Sequence, residues 1–233
     1  MPQSLCAVVG VGPGNGTAIA RRFARAGIAV AVLARTKGTM AALEAELPGA
    51  RGFVCDVTDA ASISTAFTDI RASMGEVETL VYNAGSGIWG SIEEISPAAF
   101  EHAWRVNALG AFLVAREVIP TMKVAGHGNI LIVSATAARR GKARTAAFAP
   151  AKAAQRSLAE AMAKHLWPAG IHVALVIIDG VVDLAATRKR LPEKPDDFFV
   201  KPDDVAETIY WLSTQPRSAW AFEVEARPFG EAW

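Results

Sequence analysis

Tyrosine is nearly missing from this sequence: two of its 233 residues are tyrosine, Tyr82 in a strand-like run and Tyr210 in the last helical stretch. Cysteine is as scarce, with Cys6 and Cys55 alone, each inside an apolar run. Neither a CxxC pair nor metal-ligand spacing accompanies them, which argues against a disulfide framework and for small thiols packed as hydrophobes. The four histidines, His102, His127, His165 and His172, form no i, i+4 pair and have no acidic cluster beside them, so no metal is expected. An excess of either charge is lacking too. With 24 Lys and Arg against 23 Asp and Glu, the formal charge is +1, which removes the electrostatic case for nucleic acid or an anionic membrane surface. No apolar run approaches the ~20 residues that cross a bilayer. The start, MPQSLCAVVGVG, has neither the charged lead nor the small-residue cleavage site of a secretory signal. The expectation is a cytoplasmic protein whose partners are small molecules.

What the chain does have is alternation. A 52% hydrophobic content over this length buries a substantial core, and one domain is the default. Short β-branched runs at 5–9, 28–34, 52–55, 79–82, 129–133, 171–178 and 221–225 predict strands. Segments with helical spacing at 17–26, 38–47, 59–74, 97–124, 151–165 and 203–213 separate most of them. Pro120 is expected to kink or close the 97–124 helix. Residues 183–202, with three prolines and mixed charges, read as a loop with room for a short helix. Strands alternating with helices predict a parallel sheet covered on both faces.

The first strand runs into Gly10-Val11-Gly12-Pro13-Gly14-Asn15-Gly16 and then straight into a helix. Such a turn lets backbone approach a pyrophosphate while the helix N-terminal amides stabilise its charge. The spacing that fits is G-x-x-x-G-x-G, on Gly10, Gly14 and Gly16; a purely structural glycine turn is the alternative. Downstream come Cys55-Asp56-Val57 after the third strand, Tyr82-Asn83-Ala84-Gly85 after the fourth, Asn107 in the next helix and Ser134 at the end of the fifth strand. Taken in order over the whole chain, this set resembles the short-chain dehydrogenase/reductase family. The resemblance implies a single-domain, Rossmann-like, doubly wound α/β fold with a seven-stranded parallel sheet, and a nicotinamide dinucleotide across the carboxyl ends of its strands. It implies that Gly10, Gly14, Asn15 and Gly16 cradle phosphate, that Asp56 and Val57 meet the adenine, and that Asn83, Ala84 and Gly85 line the ribose. Asn83 also suits a plain turn after a strand.

The end of the second strand reads Ala34-Arg35-Thr36-Lys37, with two bases and no acid. An acid there would accept from a ribose 2′-hydroxyl, whereas an arginine pairs with a 2′-phosphate. NADP is therefore expected over NAD, with Arg35 and Thr36 at the site, and a solvated surface charge is the other reading of Arg35.

In the family's mechanism, as the resemblance implies it, a tyrosine transfers the proton, a serine polarises the substrate oxygen, and a lysine four residues after the tyrosine holds the nicotinamide ribose. Here Lys152 stands four residues after Phe148, and Ser134 fourteen before it. Phe148 occupies the tyrosine's place without a hydroxyl. Lys152, or a water held between Ser134 and Lys152, is then the candidate proton source. Separately, Ser134 can cap a strand, Lys152 can be an ordinary helix lysine, and Asn107 can bond its own helix. After the sixth strand, Asp179-Gly180-Val181-Val182-Asp183-Leu184 departs from the family pattern: Asp179 replaces a proline and Leu184 a threonine. Gly180 and the Val182 backbone remain the expected contacts to the carboxamide. Two readings stand: an NADP-dependent oxidoreductase acting on a carbonyl or alcohol with weakened proton transfer, and a catalytically silent NADP-binding protein that senses or scaffolds.

Arg139, Arg140, Lys142 and Arg144 flank this segment, which fits either an anionic substrate or a solvated loop. Leu191, Phe198, Phe199 and Trp89 can form an apolar wall or hold the late loop down. Family members pair through long helices and the last strand, so a homodimer or homotetramer is expected, with the tail from Pro228 to Trp233 packed on a neighbour.

Overall fold

The computed structural model describes residues 4–230, so Glu231, Ala232 and Trp233 of the expected tail contact lie outside the described residues. The chain runs β1 (Leu5–Val9), α1 (Asn15–Arg25), β2 (Ala29–Ala34), α2 (Lys37–Glu46), β3 (Ala50–Val54), α3 (Ala60–Met74), β4 (Thr79–Tyr82), α4 (Pro97–Trp104), α5 (Gly110–Ala125), β5 (Gly128–Ala135), α6 (Phe148–Leu166), β6 (Ile171–Ile178), β7 (Val181–Val182), α7 (Ala185–Arg190), β8 (Phe199–Val200), α8 (Pro202–Ser213) and β9 (Glu223–Ala226). Seven strands form one parallel sheet in the order β3-β2-β1-β4-β5-β6-β9. This is the parallel α/β sheet that the alternation predicts, in the Rossmann-like arrangement that the resemblance implies.

Burial explains the layering. All eight residues of β6 are buried, and an unbroken apolar run is what a parallel strand covered on both faces requires. Residues of one parity, such as Ile130, Ile132, Val173 and Leu175, pack against α3, α5 and α6. Those of the other, such as Leu131, Val133, Ala174 and Val176, pack against α1, α2 and α8. Cys6 and Cys55 are both buried, and burial raises both thiols, Cys55 to about 12.

Three elements are sharper in the structure than in the sequence. Pro120, expected to kink or close its helix near its end, lies within the last turns of α5, which runs on to Ala125 and ends on Gly126 at φ 68°. The segment 183–202 holds the short helix for which the loop reading left room, α7, and adds a short strand, since β8 pairs with β7. Its Asp183 carboxylate is held by Arg188 at 2.7 Å and Lys201 at 2.7 Å, a local lock that a strand-and-helix period does not reveal. Finally, α6 begins at Phe148, so the aromatic and Lys152 lie one turn apart on the same helix.

Between α4 and α5 the chain makes a π-turn over Arg105–Leu109, in which the Gly110 amide bonds back five residues to the Arg105 carbonyl. Two carbonyls within it accept from side chains: Tyr82 Oη donates to Val106 at 2.5 Å, and Gln155 Nε2 donates to Asn107 at 2.8 Å. Such one-residue insertions in helices recur at functional sites.

Candidate nucleotide and catalytic site

The strand order reverses between β1 and β4, which opens a crevice at their carboxyl ends. The chain is stitched together there. Asn83 Nδ2 donates to the Gly10 carbonyl at 2.8 Å. Gly10 has φ 92°, and a Cβ on it would sit 2.4 Å from the Ala84 backbone, so no other residue fits. A cavity of about 710 Å³ occupies this crevice, lined among others by Gly10, Arg35, Thr36, Asp56, Asn83 and Gly85. Val57 and Ala84 line it as well. Of the expected dinucleotide residues, Gly14, Asn15, Gly16, Gly180 and Val182 lie outside that lining, as do Ser134, Phe148 and Lys152.

Each wall has a physical cause. Arg35 is exposed at the end of β2 and makes no hydrogen bond or ion pair among the described residues. Asp56 is held below the usual carboxylate range chiefly by the Thr58 backbone amide, then by the Thr58 hydroxyl, at 2.9 and 2.7 Å. His102 and Ser86 also line the cavity. They escape sequence reasoning because neither sits in a recognisable spacing.

Do these residues fit a dinucleotide? Helix α1 starts without a side-chain cap and without an acid in its first turn, so its N-terminal amides face no internal anion. The buried Asn15 Oδ1 beside them has no hydrogen-bond partner, and neither has the buried Ser134 Oγ. A buried polar atom left unpaired costs about 1–3 kcal/mol, so the Asn15 oxygen is ready to accept from a bound group and the Ser134 hydroxyl to donate to one. The residues fit. One side chain crosses the path: Leu184 Cδ2 lies 2.5 Å from where a Gly14 Cβ would stand, so the leucine caps the glycine turn itself.

Lys152 is buried and lies behind Gly85, where a Cβ would be 3.8 Å from its Nζ and 3.4 Å from Asn107 Oδ1. Its amine donates to the Val133 carbonyl at 3.2 Å and to Gln155 Oε1 at 3.0 Å, and burial lowers it to about 7. Asn107 is fully buried, its Nδ2 donating to Ser86 O at 3.1 Å and Ala103 O at 2.8 Å. Ser134 follows Val133 on β5, opposite Ile177 on β6. Phe148 opens α6 with its ring against Trp89. Gln155 went unnoticed in the sequence, although it sits three residues after Lys152 in a stretch that is otherwise mostly alanine.

The basic residues that fit either an anionic substrate or a solvated loop mostly have partners in the structure. The basic cluster is largely paired: Arg139 with Glu223 and Glu225, Arg144 with Glu94 at 3.1 Å, and Arg140 near Asp179 at 3.9 Å. Charges matched by neighbouring carboxylates supply little attraction for an anionic substrate. Asp179 is likewise tied to Thr136 and Arg227. Phe199 is buried and belongs to the core, whereas Trp89 remains 58% exposed.

Comparison with known proteins agrees with this geometry. The family described as short chain dehydrogenase matches residues 5–195. A 3-oxoacyl-[acyl-carrier-protein] reductase MabA of Mycobacterium tuberculosis is 32% identical over 219 residues, covering 91% of this chain and 85% of the relative. A short-chain dehydrogenase structure from Rhodopseudomonas palustris is 31% identical with a TM-score of 0.83, covering 97% of this chain and 99% of the other. A metagenomic short-chain oxidoreductase solved in complex with NADP is 28% identical with a TM-score of 0.84, covering 98% of both chains. With its switch-point crevice, glycine turn and sheet order, the chain belongs to the short-chain dehydrogenase family of oxidoreductases.

Proposed function

We propose that the protein binds NADP(H) and acts on a carbonyl or alcohol with weakened proton transfer, the whole chain working as one nucleotide-binding unit. When bound, the nicotinamide supplies or accepts the hydride. Arg35, unpaired at the cavity edge, would meet a 2′-phosphate; Gly10, Gly14, Asn15 and Gly16 would hold the pyrophosphate, with Thr36, Asp56 and Val57 around the adenosine. Asn83, Ala84 and Gly85 would line the ribose, and Gly180 and Val182 would meet the carboxamide. The observation that carries the reading is Lys152. Its amine is enclosed, bonded by neutral acceptors alone and lowered to about 7, so near neutral pH it can give or take a proton in place of the hydroxyl that Phe148 lacks. Ser134, with its free Oγ, would polarise the substrate oxygen, and Asn107 would fix the surrounding backbone.

The second reading is a silent NADP-binding protein, favoured by one contact: the Phe148 ring packs on Trp89 rather than presenting any polar group. Losing a general acid lowers rate by about 10²- to 10⁴-fold. The deciding experiment pairs NADPH binding by fluorescence with a carbonyl panel for wild type and Phe148→Tyr. Measurable wild-type turnover that rises in the variant supports the enzyme. Binding with turnover only in the variant supports the silent reading, and no binding in either removes both. Exposed Phe100, Trp104 and Phe112 on α4 and α5 support a homodimer or homotetramer, which light scattering on the full chain would test.

A further inference from the structure

We propose that Gln155 is a positioning residue, which clamps the Lys152 amine to the main chain of the π-turn and so fixes where that amine stands behind Gly85. The inference rests on reading Lys152 as the amine of the site. Gln155 has no exposed surface, and both ends of its amide are engaged: Oε1 accepts from Lys152 Nζ at 3.0 Å, and Nε2 donates to Asn107 O at 2.8 Å. The amide can hold only this orientation. Flipped, it would set two donors against each other at Lys152 and two acceptors against each other at Asn107. The lysine's other acceptor is the Val133 carbonyl at 3.2 Å. One amine is thereby tied to β5, to the π-turn and, through Gln155, to its own helix.

A space-filling role is the competing account, and chemistry separates the two. A leucine at 155 would occupy the same volume but leave the buried Asn107 carbonyl without its donor and Lys152 with one acceptor. Among the described residues no carboxylate pairs with Lys152: Val133 meets it from β5, Asn107 lies near it on the π-turn and Gly85 on the cavity wall. On α6 the neighbouring Arg156 turns away to Glu160 and Glu223. A change at Gln155 therefore reaches Lys152 without a second charged group between them.

The test is a nuclear magnetic resonance titration of the full chain carrying ¹³C-labelled lysine, without nucleotide, with the Lys152 signal assigned by its loss in Lys152→Met. Gln155→Leu is expected to lower the Lys152 midpoint, because the charged amine loses an acceptor. Gln155→Glu, nearly the same size, is expected to raise it by about one unit or more, since an opposite charge at this distance shifts a partner by ~1–3 units. Should Gln155→Leu fail to fold, the glutamate variant decides alone. Wild-type midpoints in the folded variants would overturn the proposal. NADPH affinity, measured in parallel, should weaken about tenfold or more in Gln155→Leu. Absent NADPH binding in wild type with midpoints still moving would sink the nucleotide reading and leave the clamp standing. Normal binding with fixed midpoints would do the reverse.

Discussion

The rings of Phe148 and Trp89 lie 5.4 Å apart, centroid to centroid, with their planes tilted by 39°. Position 148 is therefore an aromatic contact in its own right. Aromatic pairs of this kind contribute about 0.5–1.5 kcal/mol beyond simple burial. A double-mutant cycle of Trp89→Ala and Phe148→Ala, read by urea unfolding, should return a coupling energy in that range. Strict additivity would show that the two rings merely adjoin.

Lys152 makes stability depend on pH with a defined sign. Its folded value is about 7 against an ordinary 10.5, so between these limits the unfolded chain holds a proton that the folded chain does not. The destabilisation is full below pH 7 and is relieved as pH rises. Cys55 opposes this from about pH 9, because its raised thiol makes the folded chain the more protonated there. Unfolding free energy should consequently rise from pH 7 to about 9, by one to several kcal/mol. In Lys152→Met, urea melts across that window should lose most of the slope.

Gly110, the first residue of α5, packs closely on Tyr82 and Val57. A Cβ there would meet Tyr82 Oη at 2.4 Å and the Val57 carbonyl at 2.8 Å. Gly110→Ala should cost about 1–3 kcal/mol through overpacking and disturb the bond from Tyr82 to Val106. A thermal melt within a degree of wild type would contradict the close approach.

On the proposed NADP reading, Arg35→Asp should shift the cofactor preference toward NADH. Removing the guanidinium takes away a charge-assisted partner for a 2′-phosphate, and the new carboxylate repels that group while accepting from a 2′-hydroxyl. NADPH affinity is expected to fall at least about tenfold and NADH affinity to rise. Retained NADPH affinity would show that Arg35 is a solvated surface charge.

The sheet was legible because a parallel strand buried on both faces has to be apolar along its length, as Ile171–Ile178 is. The Gly10 turn was legible because a positive φ pressed against Ala84 leaves room for glycine only. What escaped depends on contacts across the chain. That Arg139 is matched by Glu223 and Glu225 is invisible at a separation of more than eighty residues, and the basic cluster therefore looked free. Gln155 escaped for a related reason: its two partners lie on different elements, and no spacing rule links a glutamine to the carbonyl of Asn107. Pro120 sits inside α5 without ending it, since a missing amide need not end a helix that packing holds in place, with Val118 and Met122 buried on either side of it.

The π-turn sets a rule for insertions and deletions. It places one extra residue between α4 and α5, and each helical residue turns the chain by about 100°. The wide turn absorbs that residue, so Val114, Ala115, Val118 and Met122 keep facing the sheet, and deleting one residue from 105–109 would close the turn into a regular helix. The same deletion would withdraw the carbonyls that Tyr82 and Gln155 reach. This short segment should thus tolerate changes of residue far better than changes of length.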